Sequence, residues 1–170
     1  MMAILPTLAI FAYVRLYPIV DTLRLSFYKW DILSKRKPFI GLENFRELMG
    51  DHLFQSALIN TTIIAFGVLI ITIPAALVIA ALIFYRTRSR LSGFYETAVF
   101  IPHVVSLVPA AMAWKWIFDA RLGPLNAALS FFGVEPQAWL FDPVLSVICI
   151  IVLCSWQALG YAVLIYLVGF

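Results

Sequence analysis

Charge is scarce in this sequence. Lys, Arg, Asp and Glu make up 12% of its 170 residues and 64% are hydrophobic, whereas an ordinary soluble domain is roughly 25% charged. Too few polar groups are present to cover a water-facing surface, which argues against a soluble enzyme domain. So much apolar area also rules out a solvated, disordered chain. Cysteine is nearly absent too: Cys149 and Cys154 stand five apart in one hydrophobic run. That spacing places them well apart around a helix, so they read as apolar filling rather than a disulfide or metal pair. No Gly-rich phosphate loop exists, so this chain is not expected to bind ATP by itself. His52 and His103 have no Asp, Glu or Cys at a metal-ligand interval, so neither a metal, a cofactor nor a catalytic constellation is expected. The net charge of +3 does not signal nucleic acid, because the basic residues lie between hydrophobic runs, as in loops that orient a membrane protein.

What fills the sequence is uncharged length, with a mean hydropathy of +0.99. Leu53 to Tyr85 runs 33 residues without Asp, Glu, Lys or Arg, and Pro143 to Phe170 runs 28. Each exceeds the ~20 residues that cross a bilayer as a helix. Thr97 to Trp114 is a third such run, extended by Trp116, Ile117 and Phe118 beyond Lys115. The fourth, Met1 to Val20, spans if Arg15 snorkels to a headgroup. The runs lack the alternation of barrel strands, and only helices and closed barrels satisfy a backbone in lipid. The expected fold is therefore all-α: a polytopic membrane protein with about four transmembrane helices and short interfacial ones. The boundaries read as 1–55 for the first span and an amphipathic loop. The remainder is 56–170, with spans at about 57–84, 94–118 and 144–168. Pro6 within the first apolar stretch, and hydrophobic sequence past Arg15, argue against a cleaved signal.

Between the first two spans, Leu42, Phe45 and Leu48/Met49 recur at helical spacing among Glu43, Arg46 and Glu47, predicting a short surface helix. Pro124 to Phe132 reads as a second, with Pro124 in its first turn, Gly133 beyond its end, and Leu125, Ala128, Leu129 and Phe132 on one face. Arg86, Arg88 and Arg90 fill one short loop, which the positive-inside rule assigns to the cytoplasm together with the N-terminus. Lys35-Arg36-Lys37 in the first loop pulls the other way.

Interruptions within the spans carry the functional signal. Pro102 and Pro109 are candidate helix bends, with His103 beside the first. Proline kinks are commonplace in membrane helices, but a bend also suits a helix lining a path. Asn60, His103 and Gln157 are the candidate path residues. The alternative for Asn60 and Gln157 is hydrogen-bonded glue between helices. Trp114, Trp116, Trp139 and Trp156 read first as interface anchors or packing residues. No acidic residue lies in the two long spans and no repeated halves are visible, which argues against an ion-coupled secondary transporter. A non-transporting membrane assembly subunit would account for the composition alone.

The order of motifs favours a different reading. Tyr17-Pro18, Leu25-Ser26-Phe27, Phe39-Ile40-Gly41-Leu42-Glu43-Asn44-Phe45 and Ala57-Leu58-Ile59-Asn60-Thr61 come first. Phe100-Ile101-Pro102, Trp114, Ile117-Phe118, Gly123-Pro124-Leu125-Asn126 and Trp139-Leu140 follow. In this order the chain resembles the permease subunit of a binding-protein-dependent ABC importer of the sugar-transport branch. The resemblance implies alternating access for a sugar or related polyol, and no enzymatic activity in this chain. The partners it implies are a second permease subunit, two ATPase subunits that hydrolyse ATP, an extracytoplasmic substrate-binding protein and the lipid bilayer of a bacterial or archaeal cell (inner) membrane. It also implies that the Gly41–Phe45 loop lies outside. The likeness covers the N-terminal part of such a permease, so the ATPase-docking loop with its Glu-Ala-Ala motif is expected beyond Phe170, and 56–170 is a partial transmembrane domain.

Overall fold

The computed structural model describes residues 4–30, 37–86 and 92–170. These form α1 (Ile4–Phe11), a π-helical turn (Ala12–Leu16), α2 (Tyr17–Leu25), α3 (Glu43–Gly50), α4 (His52–Arg86), α5 (Ser92–Val104), α6 (Leu107–Ile117), α7 (Pro124–Phe131) and α8 (Pro143–Gly169). The fold is all-α, because each apolar run can satisfy its backbone only within its own segment. Ile4–Leu25, His52–Tyr85 and Pro143–Gly169 are each long and apolar enough to cross a membrane. Gly93–Val104 and Leu107–Ile117 make a fourth crossing if the bent pair is one span. The chain is thus a multi-pass membrane protein. It divides into two compact units, Met1–Leu58 and Ile59–Phe170.

In the first unit, α1 runs into α2 through the π turn, where the Tyr17 N–H bonds to Ala12 O. Pro18 follows directly and has no N–H for the carbonyl four residues back, so the ladder widens by one residue there. The Tyr13 and Tyr17 rings stack across this turn at 5.9 Å. Beyond α2 the chain closes a clasp. Lys29 N donates to Pro38 O at 3.0 Å and Ile40 N to Phe27 O at 2.9 Å. Gly41 turns with φ +62°, a conformation that costs a side-chain-bearing residue dearly. Asn44 Nδ2 then donates to Ser26 O at 2.8 Å and Tyr28 O at 3.1 Å, and Phe45 packs on Phe27. The motif from Phe39 to Phe45 is therefore the piece that pins α3 to the end of α2.

In the second unit, α4 and α8 run side by side in the same direction. Gly67 lies against Ile151, and Phe84 stacks on Phe170 at 5.4 Å. Ala76, Ala80 and Ile83 of α4 form the core with Val163 of α8, and Val99 of α5 packs against it. Small residues let the backbones approach, which is how helices gain contact in lipid. The closest approach is at Gly160, where an added Cβ would sit 2.5 Å from Val99 O. α5 runs opposite to α8, since Val99 lies near Gly160 and Val105 near Gln157. Asp142 caps α8 by accepting from Val144 N at 2.9 Å and Leu145 N at 2.8 Å. Pro143 occupies the first turn, where its missing N–H has no intrahelical partner anyway.

Candidate functional site

The apolar run 94–118, read in the sequence as one span, is broken. In a continuous helix the Pro109 ring would collide with Val105 O and offer it no N–H. The helix stops instead. Ser106 is extended, at φ −58° and ψ 142°, and the two halves diverge by 96°. Pro109 thereby falls in the first turn of α6, where a missing N–H is tolerated. Pro102, the other candidate bend, lies inside α5, which continues through it to Val104.

α8 supplies what the break leaves open. Gln157 Nε2 donates to Val105 O at 2.8 Å. One turn further along the same face of α8, the Tyr161 ring stacks on the His103 imidazole at 5.2 Å and 20°. Phe100 adds a second aromatic contact to His103 at 5.5 Å. On the α6 side of the break, Trp114 meets Trp156 edge-on at 5.7 Å. His103, Ser106 and Pro109 are exposed and Gln157 is half-buried. His103 and Gln157 are thus brought to one place, and Tyr161 joins them. Asn60 is exposed on α4, with no hydrogen bond to either among the described residues. Arg86 ends α4, and Arg88 and Arg90 lie outside the described residues.

A second polar cluster orders the segment between α6 and α8. Asn126 is 3% exposed. Its Nδ2 donates to Ala120 O at 3.0 Å and Gln137 O at 2.9 Å, and its Oδ1 accepts from Gln137 N at 3.0 Å and Trp139 Nε1 at 2.8 Å. The expected helix at 124–132 forms as α7, but Asn126 is its buried residue, while Ala128 and Phe132 are exposed. The physical reason is the density of bonds one amide makes here, which outweighs the burial of a Phe ring that lipid or a partner can cover. Nearby, Asp119 Oδ1 accepts from Leu122 N at 2.8 Å and Arg121 N at 2.9 Å. These two bonds, helped by the charges of Arg121 and Lys115, lower its pKa below the ordinary carboxylate value and outweigh the opposing effect of desolvation.

Sequence reasoning left Tyr161 and Asn126 out of the candidate residues. A hydroxyl-bearing aromatic one turn after Gln157, and a lone amide in an apolar short helix, were the available signals. Among the described residues no three His, Cys, Asp or Glu side chains converge on one point.

No family model matches the chain. The chain is 30% identical over 168 residues to a probable ABC transporter permease protein of Bacillus subtilis, covering 98% of this chain and 57% of that one. To the lactose transport system permease protein of Rhizobium radiobacter it is 34% identical over 164 residues, covering 95% and 54%. It therefore spans little more than half the length of these relatives. In fold it matches a bacterial ABC transporter involved in the import of the acidic polysaccharide alginate, with TM-score 0.81 at 24% identity, covering 98% of this chain and 55% of that one. The bacterial alginate ABC transporter in complex with an alginate pentasaccharide-bound periplasmic protein matches with TM-score 0.80 at 23% identity and the same coverage.

Proposed function

Because the chain belongs to the ABC transporter permeases, we propose that it forms part of the translocation path for a sugar or related polyol in an ATP-driven importer. The relatives are permease proteins, including sugar-transport permeases, and not enzymes. The observation that carries the proposal is the broken span. Gln157, which bonds to it, is the fifteenth of the 27 residues of α8, so the break sits level with the middle of that crossing. Non-helical backbone at membrane depth is tolerated only where protein covers it or a wet cavity meets it. Discontinuous helices of this kind line substrate sites in other transporter folds. His103 and Ser106 are exposed on that surface, and with Gln157 and Tyr161 they offer the hydrogen-bonding and ring surfaces that suit a polyhydroxylated substrate. Asn60 is proposed to face the same path from α4.

The mechanism is alternating access. An extracytoplasmic binding protein delivers the sugar, as a periplasmic protein joins the alginate transporter. Two separate ATPase subunits drive this chain and a second permease subunit between outward-open and inward-open states, in the cell membrane of a bacterium or archaeon. In this reading Arg86 to Arg90 faces the cytoplasm and Gly41 to Phe45 the outside. The test is reconstitution with the partner subunits and measurement of ATP-dependent uptake of labelled lactose and oligosaccharides. His103→Ala is expected to cut uptake at least tenfold with the complex still assembled. Unchanged uptake in both His103→Ala and Asn60→Ala sinks the path assignment. Maleimide labelling of Arg88→Cys from outside sealed cells sinks the orientation.

A further inference from the structure

We propose that Gln157 is a positioning residue: its amide stands in for the hydrogen bond that Pro109 removes and so fixes the angle of the break between α5 and α6. Three observations meet in it. Pro109 has no N–H and lies four residues after Val105, so Val105 O has no partner within its own helix. Gln157 Nε2 reaches that oxygen at 2.8 Å across 52 residues of sequence. Gly160, three residues on, lets α8 press against the backbone at Val99 and Phe100, which places the amide at the right height.

The arrangement is a latch between two helices. Val105 is half-buried, and at membrane depth an unpaired carbonyl out of reach of water is costly. Gln157 cancels that cost only while α8 keeps its height relative to α5. A sliding of α8 by a full turn, about 5.4 Å, separates donor from acceptor and frees the hinge. Gln157 therefore ties the angle of α6, and with it the surface carrying Ser106, to the position of α8. Its consequence for uptake rests on the path reading above, but the latch itself does not.

Nitroxide labels at positions 94 and 116 read the angle. Phe94 and Trp116 are 68% and 62% exposed, and Cys149→Ala with Cys154→Ala removes the two cysteines of this sequence. In a continuous helix these positions stand about 33 Å apart, and at the observed bend roughly 22 Å. In the full chain in lipid nanodiscs, Gln157→Met keeps the length and removes the donor. It is expected to broaden the distance distribution, because Pro109 still bars a continuous helix while nothing fixes the angle, and to lower the thermal midpoint. Adding Pro109→Ala returns an N–H to Val105 O from within the chain, so it is expected to restore the midpoint lost in Gln157→Met. A wild-type distance distribution in Gln157→Met overturns the proposal. So does failure of Pro109→Ala to restore stability, and that arm decides the matter even if Gln157→Met alone does not fold. Neither readout involves transport, so the latch and the path assignment fail separately.

Discussion

Trp139 and Asn126 are joined by a 2.8 Å hydrogen bond from the indole Nε1 to the amide Oδ1, thirteen residues apart, tying the stretch after α7 back to its first turn. The Trp139 ring also packs at 6.3 Å from Phe118 at the end of α6. One buried amide thus gathers Ala120, Gln137 and Trp139 and fixes how the chain passes from α6 to α8.

Asn126→Leu keeps the volume and removes every bond, leaving an indole N–H and a backbone N–H without their acceptor. Each unmet buried group costs ~1–3 kcal/mol, so a loss of about 2–4 kcal/mol is expected. Trp139→Phe leaves Gln137 N still bound to Asn126 and is expected to cost about half as much. Thermal unfolding in detergent checks the ranking. If Trp139→Phe proves the worse of the two, the amide is not the organising group.

Gly160→Ala and Gly67→Ala separate two kinds of crowding. At Gly160 the added Cβ meets backbone, at Val99 O and Phe100 Cα; at Gly67 it meets side-chain atoms of Ile151, Cδ1 at 2.7 Å with Cγ1 and Cγ2 at 3.1 and 3.2 Å. Backbone cannot rotate away, whereas a side-chain end can. Gly160→Ala is expected to cost about 2–3 kcal/mol and Gly67→Ala under about 1 kcal/mol. Equal effects in unfolding measurements contradict the close α5–α8 approach.

Thr72→Val should make the chain more stable. Thr72 is 6% exposed, and its Oγ1 has no hydrogen-bond partner among the described residues. Replacing an unsatisfied buried hydroxyl by a methyl of the same shape is expected to gain about 1 kcal/mol. Ser155→Ala, removing the other such hydroxyl, is expected to act in the same direction. A fall in the thermal midpoint of both variants shows that the hydroxyls are bonded in the membrane.

Acid should loosen the segment after α6. Asp119 has its pKa lowered in the folded chain, chiefly by the Leu122 and Arg121 N–H groups. Its ionised form therefore contributes fully above the ordinary carboxylate value near 4, and the contribution is lost as pH falls from there through the lower folded value. Tryptophan emission, titrated downward from pH 5, should report a transition that Asp119→Asn abolishes. A transition unchanged in that variant assigns it to another group.

The long helices were plain in the sequence because length and the absence of charge suffice to define a crossing. α4 and α8 follow their uncharged runs, and Pro124 and Gly133 mark the ends of α7 nearly to the residue. The break at Val105–Ser106 was not legible in the same way. Hydropathy is continuous through it, and proline pairs at 102 and 109 do not say which one the helix obeys. That choice depends on whether a freed carbonyl finds a donor, and the donor, Gln157, comes from a helix 52 residues further on. Asn126 escaped for a related reason. An apolar face can be read from spacing, but a buried amide is favoured by four partners that only the folded chain brings together.

The shared direction of α4 and α8 has a counting consequence. With Phe84 beside Phe170, both helices finish on the same side, so α8 must start on the opposite one. A chain that leaves one side and must begin again on the other has to pass through an odd number of times. Among the described residues between Arg86 and Pro143, only the α5–α6 pair is long and apolar enough to make that passage. Parity therefore makes the bent pair a full traverse and not a loop that dips in and returns.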